Sequence, residues 1–199
     1  MEEAARDRSP MFFASGGAIL VSMKAIEHVW LFDPDYYLYH EDVDFSWRAR
    51  LAGYEIGYAE RSVVYHHYEF NRSMKKFYWM ERNRHITHLS NLKWGTYLLM
   101  LPLMVVVELG MIPLNFRAGW GVLKLKSYLP LFKLSTWRWI LRRRAWIKRL
   151  RKVRDADLLA LMVPTVVARD PQLQNPIVRY IANPIMSVYF WGLKKVVRW

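Results

Sequence analysis

Two clusters of acidic and histidine side chains in this sequence are suited to chemistry. Glu41, Asp42 and Asp44 lie within four residues of one another, directly after the aromatic run YYLYH. A positioned carboxylate can take the proton of a hydroxyl group as a general base. The second cluster is the pair His66 and His67, and a neutral imidazole near carboxylates can bind a metal ion. The spacing of these residues matches neither a zinc-protease nor an EF-hand pattern.

Both clusters also have a structural interpretation. Acidic residues at the start of a helix are stabilised by the helix dipole, and Asp44 and Arg48 stand four residues apart, where they can form an ion pair. Adjacent histidines are more often exposed or structural than bound to a metal. The residue types alone therefore leave a catalytic site and a capped helix as open alternatives.

Short elements are predicted around these clusters. Ser22 is a candidate N-cap, and Gly53 is a natural helix stop. Apolar residues at positions 43, 47 and 51 give one face of a helix. The prediction comprises a strand within 11–21 around Gly16 and Gly17, helices at 22–29, 41–52 and 74–92, and strands at 54–58 and 62–66.

Composition excludes several classes of protein. The chain has 199 residues and no cysteine, which excludes a disulfide scaffold, a thiolate zinc site and a cysteine nucleophile. Hydrophobic residues make up 53%, too many for a disordered chain. The net charge is +13 and is unevenly distributed: residues 1–93 carry 12 basic and 13 acidic residues, and residues 94–199 carry 18 and 4. The second half is therefore expected to meet an anionic surface.

That surface is expected to be a membrane. Residues 94–114 carry one charge and are long enough to cross a bilayer core of about 30 Å, with Trp94 and Tyr97 suited to an interface. Residues 117–154 then carry 13 basic residues and no acid, interleaved with Trp and Leu, as in interfacial amphipathic segments. Because both flanks of the apolar block are basic, the positive-inside tendency places both in the cytoplasm. This favours a re-entrant or monotopic hairpin bent near Pro102 or Gly110 over a simple span. Nothing in this stretch is a nucleic-acid recognition motif, so no nucleic-acid partner is predicted.

A longer pattern resembles a known family. The pieces are SGGAIL (15–20), LFDPDYYLYHEDVDFSWRARLAGYEIGYAERSVVYHH (31–67) and the later KKFYW and ERNR segments. Their order resembles the C-terminal half of the catalytic domain of family 2 glycosyltransferases, especially the rhamnosyltransferase-like and galactofuranosyltransferase-like members. The resemblance implies transfer of a sugar from a nucleotide-sugar donor to a cell-envelope or lipid-linked glycan acceptor, with inversion. It also implies an α/β fold, here an incomplete, Rossmann-like GT-A half-domain followed by an α-helical membrane-associated region.

The resemblance also assigns roles to residues. It implies Asp42 as the general base with Glu41 beside it, and His66 as a ligand of Mn²⁺ or Mg²⁺. Gly16 and Gly17 would let the backbone approach the donor or the acceptor, and Arg48 could reach a phosphate. Tyr37 and Tyr39 are candidates to stack on a sugar, or core residues.

The expected organisation is a glycosyltransferase part at 1–93, a transmembrane or re-entrant helix at 94–114, and a basic membrane-surface tail at 115–199. The expected location is the cytoplasmic membrane, with the catalytic part on the cytoplasmic side. The family's donor-binding half, with its DxD motif, would precede Gly16, where only about a dozen residues stand. We therefore expect a truncated enzyme, or one completed by a separate chain. The alternative is a non-catalytic membrane-surface or partner-binding protein that retains a degenerate half-domain.

Overall fold

All regular elements in the described part of the chain are helical. In this computed structural model the structure describes residues 11–59, 61–65, 67, 74–165, 176 and 178–199. The α-helices there are α1 (Met23–Val29), α2 (Glu41–Leu51), α3 (Lys75–Asn91), α4 (Trp94–Arg117), α5 (Gly121–Lys126), α6 (Leu134–Leu150), α7 (Asp155–Leu161) and α8 (Asn183–Val196). Short 3₁₀ turns occupy Pro34–Tyr36 and Leu129–Phe132, and a π-helical turn occupies Val178–Ala182.

The α/β prediction is wrong. Residues 11–21, 54–59 and 61–65 form no strand, although their apolar and aromatic composition favours one. A strand needs a neighbour to satisfy its backbone groups, and none of these segments pairs with another strand in the described residues. Residues 61–65 are all exposed. The part of the chain that the structure describes is therefore an all-α protein and not an incomplete GT-A half-domain.

The three helices predicted in the first half are confirmed. The Ser22 hydroxyl accepts a hydrogen bond from the amide of Ala25 at 3.2 Å and caps α1. Gly53 ends α2 with a φ of +89°, a left-handed conformation that glycine adopts without strain. α3 begins and ends within one residue of its predicted limits. Local capping and periodicity were sufficient to predict these helices because neither depends on a distant partner.

The chain divides into two units, and each is built from two separate stretches. The first unit comprises residues 1–91 and 122–153, and the second comprises residues 92–121 and 154–199. In the first unit α6 packs on α2 and α3, and α1 packs on α2. A buried cluster of Val29, Phe45, Ala49, Ala52 and Leu150 joins α1, α2 and α6. A large part of the basic tail is thus a component of the first unit.

In the second unit α8 packs on α4 and α7. Its buried side chains include Leu158 and Leu159 of α7 and Met186, Phe190 and Leu193 of α8. α4 is one continuous helix through Pro102 and Pro113, so the predicted bend near Pro102 or Gly110 does not occur. α4 is also the one helix in the described residues that is long and apolar enough to cross a membrane, by length and composition.

Candidate functional site

The predicted general base stands in the first turn of α2. Asp42 Oδ2 accepts a hydrogen bond of 2.9 Å from the amide of Gly16, 26 residues earlier in the chain. A β-carbon on Gly16 would contact the β-carbon of Asp42 at 3.4 Å. Next to this contact, the amide of Ala14 donates to Ser46 Oγ at 3.1 Å. The glycine pair and the acidic motif are pieces of the same resemblance, and in the structure Gly16 contacts Asp42.

Glu41 and Asp42 are both half-buried, but their carboxylates differ. Asp42 Oδ1 accepts the amide of Val43 at 2.7 Å, so both of its oxygens have a backbone donor. Glu41 Oε2 is buried without a hydrogen-bond partner. Burial raises the pKa of Glu41, and the nearby Asp42 charge adds to the rise, against a lowering backbone hydrogen bond. A carboxylate with a raised pKa and an unused lone pair is suited to accept a proton.

The turn before α2 is held in an unusual backbone conformation. Tyr37, Tyr39 and His40 have φ values of +63°, +64° and +66°, which are uncommon for residues with side chains and cost energy. The side-chain amide of Asn83 in α3 donates to the carbonyls of Tyr36, Leu38 and Tyr39 at 2.8–2.9 Å. Asn83 therefore fixes the turn that delivers the chain to Glu41.

A buried ion network lies beneath this turn. The Asp44 carboxylate pairs with Arg48 at 2.8 Å and with Arg143 of α6, which confirms the predicted Asp44–Arg48 pair. Asp44 Oδ1 also accepts from the hydroxyl of Tyr36 at 3.1 Å and from the amide of Asn91 at 3.0 Å. Burial opposes ionisation of Asp44, but the two arginines outweigh it and lower its pKa to about 2. Asp44 is therefore a structural anion and not a candidate base.

His40 stands directly before the acidic pair. Burial, and next the positive charge of Arg84, lower its pKa to about 4, against the opposing charges of Asp42, Glu81 and Asp44. The imidazole is thus neutral at physiological pH, and its Nδ1 is buried without a partner. Because its ring is neutral, His40 adds no positive charge beside the neighbouring carboxylates of Glu41 and Asp42.

The remaining predicted site residues are placed differently. Arg48 is 1% exposed, and its guanidinium donates to the carbonyls of Val29, Trp30 and Leu31 as well as to Asp44. It therefore holds the turn after α1 instead of facing a phosphate. Gly17 is exposed, and its amide faces Ser15 Oγ at 3.4 Å. His66 lies outside the described residues.

An exposed ring, Tyr37, and a half-buried ring, Trp79, lie at the turn. Tyr37 is 74% exposed, and its ring centroid lies 4.9 Å from that of Trp79 in α3. Arg82 places its guanidinium 5.3 Å from the centre of the Trp79 ring and donates to the carbonyl of Asp35 at 2.9 Å. Together the two rings offer an apolar surface, and Tyr37 stands shortly before Glu41 in the chain. Tyr39, the other candidate for stacking, is half-buried.

The described residues provide no set of metal ligands at Glu41 and Asp42. Among the described residues, no group of three metal-ligating side chains includes Glu41 or Asp42. Both oxygens of Asp42 already accept backbone hydrogen bonds. Mg²⁺ and Mn²⁺ favour several oxygen ligands at once. His66, the predicted ligand, lies outside the described residues, so the expected Mn²⁺ or Mg²⁺ stays a prediction.

Sequence reasoning missed the roles of Asn83 and Arg143. Asn83 belongs to the ERNR segment of the resemblance, but nothing local shows that its amide reaches a turn 44 residues away. Arg143 stood within a run of basic residues that was assigned to a membrane surface. A signal was present: Arg143 shares a helical face with Trp139, Ile140 and Ile147, which are all buried.

Comparison with known proteins found no matching family model, no similar curated protein and no similar solved structure.

Proposed function

We propose that this chain carries the acceptor-activating acids of a membrane-associated, inverting glycosyltransferase. The donor would be a nucleotide-sugar and the acceptor a cell-envelope or lipid-linked glycan. The proposed location is the cytoplasmic membrane, with the acids on the cytoplasmic side, because both flanks of the apolar block are basic. A separate chain could supply the donor site.

The proposed reaction is a single displacement at the anomeric carbon. The acceptor oxygen forms the new bond to this carbon while the bond to the nucleoside diphosphate breaks. The acceptor proton passes to the Asp42–Glu41 pair, with Asp42 as the base and Glu41 beside it. The half-buried position of both acids and the raised pKa of Glu41 support this proton transfer. The exposed ring of Tyr37, which packs against Trp79, would stack against the acceptor sugar.

One observation carries the proposal. The amide of Gly16 donates to Asp42 Oδ2 at 2.9 Å, so the two parts of the motif that sequence reasoning linked to one site lie in contact. A capped helix alone would need no donor from 26 residues away.

A second candidate is a non-catalytic protein that binds a membrane surface or a partner chain. It is favoured by the all-helical character of the described residues and by the lack of a metal-ligand group at the acidic pair in those residues. The two candidates differ in whether the Asp42 carboxylate is needed.

Replacement of Asp42 separates the two candidates in the cell. Cells deleted for the gene would receive the wild-type chain, Asp42→Asn or Asp35→Asn, and their envelope glycans would be compared by gel and mass spectrometry at matched protein levels. Asp35 is a matched control because it is exposed and lies in the same stretch. The proposal predicts that the wild-type chain and Asp35→Asn restore the glycan and that Asp42→Asn does not. Full restoration by Asp42→Asn would favour the non-catalytic candidate.

A further inference from the structure

The surface of α4 is apolar and uncovered within the second unit. The helix has 24 residues, about 36 Å at 1.5 Å per residue. Its most apolar stretch has a mean hydropathy of 2.1, and only 6% of that stretch is buried. Leu98, Val106 and Leu109 are each at least 60% exposed. A core helix of a soluble protein would be mostly buried, so this surface is suited to lipid.

α8 packs beside α4 and also exposes apolar side chains. The Tyr189 hydroxyl donates to the carbonyl of Leu99 at 2.6 Å, and the Trp199 indole donates to Thr96 Oγ1 at 3.0 Å. Tyr189 of α8 and Trp199 after it thus both contact the first two turns of α4. α8 adds three exposed apolar side chains, Ile185, Val188 and Trp191.

Basic residues gather at the shared end of the two helices. Lys93 precedes α4, and Lys194, Lys195 and Arg198 stand at the end of α8. Lys195 lies over the Trp191 ring with its ammonium 3.4 Å from the centroid. Basic side chains beside Trp are typical of the boundary between hydrocarbon and anionic headgroups. This charge pattern identifies an anionic bilayer as the partner.

Chain connectivity limits how α4 can meet that bilayer. Residue 91 before it and residue 122 after it both belong to the first unit. Inside that unit Lys124 pairs with Glu81, and Arg151 donates to the carbonyl of Asn91. A helix crossing about 30 Å of hydrocarbon would deliver its two flanks to opposite aqueous faces. The first unit would then have to straddle the bilayer, which its buried charges Asp44 and Arg143 oppose.

We infer that α4 and α8 form a monotopic element that sits in one anionic leaflet without crossing the bilayer. Both flanks of α4 therefore lie on the side that carries the first unit. This inference deepens the membrane part of the proposed function, and it concerns topology and not sugar transfer.

The absence of cysteine from the chain permits a direct test. Single-cysteine variants Lys93→Cys and Arg117→Cys mark the two flanks of α4, Val106→Cys marks its exposed surface, and Glu27→Cys marks the first unit. Each full-length variant would be treated with a membrane-impermeant maleimide in sealed inverted and right-side-out vesicles, with the cysteine-free chain as the blank.

The inference predicts that both flank variants react in the same vesicle preparation as Glu27→Cys, to a similar extent, and are protected in the other. Val106→Cys should react only after detergent is added. Reaction of the two flanks in opposite preparations would overturn the inference in favour of a span. Reaction of Val106→Cys in intact vesicles, or recovery of the chain in the soluble fraction, would overturn the lipid partner. Labelling needs no transferase activity, so loss of the proposed function would leave this result unaffected.

Discussion

Three carboxylates within four residues have three different environments. Glu41 keeps a buried oxygen without a partner, Asp42 accepts two backbone amides, and Asp44 is surrounded by arginines in the interior. Helix geometry explains why Asp42 and Asp44 differ, because residues two positions apart on a helix point about 200° apart. Asp44 turns inward, while Glu41 and Asp42 stay near the surface.

Removal of the Asp44 charge should destabilise the first unit strongly. Asp44→Asn leaves Arg48 in the interior without its counter-charge and leaves Arg143 with Asp33 alone, and breaking a buried pair in this way costs about 3–5 kcal/mol. The free energy of unfolding would be measured by urea titration of the detergent-solubilised chain. Asp35→Asn, at an exposed position, is the control and should change it by less than about 0.5 kcal/mol. Equal stability of both variants would show that Asp44 is not essential to the network.

His40 should make stability depend on pH. Its pKa is lowered to about 4 in the folded chain and returns to about 6.5 on unfolding. The unfolded chain therefore binds more protons in this interval, and the contribution of His40 to stability is lost as pH falls from about 6.5 to about 4. Glu41 acts in the opposite direction, because its raised pKa favours the folded state as it becomes protonated.

His40→Asn isolates this contribution, since asparagine tolerates the left-handed backbone at position 40. The difference in unfolding free energy between wild type and variant should change across that pH interval. His28→Asn serves as the control. A wild-type-minus-variant difference that stays constant from pH 7 to pH 4 would contradict the buried, neutral imidazole.

At the scale of elements, the turn from Tyr37 to His40 is maintained from another helix. Its three left-handed residues would relax without the Asn83 amide, because little else in their own sequence favours φ above zero. The sequence could not predict this link, since helix α3 was predicted from periodicity alone and its contacts depend on tertiary packing. The same limitation explains the strand errors within 11–21, at 54–58 and at 62–65. Composition indicated extended chain there, but pairing partners cannot be predicted from composition.

Asn83→Ala should loosen the turn. Three buried or partly buried carbonyls lose their donor, which should lower the free energy of unfolding by about 2–4 kcal/mol, and sugar transfer should fall in the fraction that stays folded. Ser90→Ala is the matched control in the same helix, because the Ser90 hydroxyl is buried without a partner. If Asn83→Ala were as stable and as active as Ser90→Ala, Asn83 would not hold the turn.

Variants at Arg143 and Arg142 in α6 test whether a basic residue of the tail stabilises the interior of the first unit. Arg143 is buried and Arg142 is exposed. Arg143→Met removes the cation that pairs with Asp33 and leaves Asp44 with Arg48 alone, and it should lower the free energy of unfolding by about 3–5 kcal/mol. Arg142→Met, at an exposed neighbouring position, should leave stability within about 0.5 kcal/mol. Similar curves for the two variants would mean that α6 is not anchored through Arg143.

At the scale of the whole molecule, the basic residues of the second half of the chain fall into two groups, those that form internal ion pairs and those that are exposed. Part of the basic stretch at 117–154 is turned inward, where Lys124 pairs with Glu81 and Arg143 with Asp44. Exposed members such as Arg138 and Arg142 remain available to an anionic surface. The expectation that the second half meets an anionic surface stays a prediction. The sequence could not predict which cations are internal, because that depends on the return of residues 122–153 to the first unit.

The central claim is that Asp42 takes part in sugar transfer, and the initial rate of transfer in isolated membranes tests it most directly. Membranes containing equal amounts of wild type, Asp42→Asn or Asp35→Asn would receive labelled nucleotide-sugars, and label in the lipid and glycan fractions would be followed with time. Loss of a general base typically costs about 10²–10⁴-fold in rate. We predict a loss of at least about 100-fold for Asp42→Asn and a rate within about twofold of wild type for Asp35→Asn. A wild-type rate for Asp42→Asn would contradict the account.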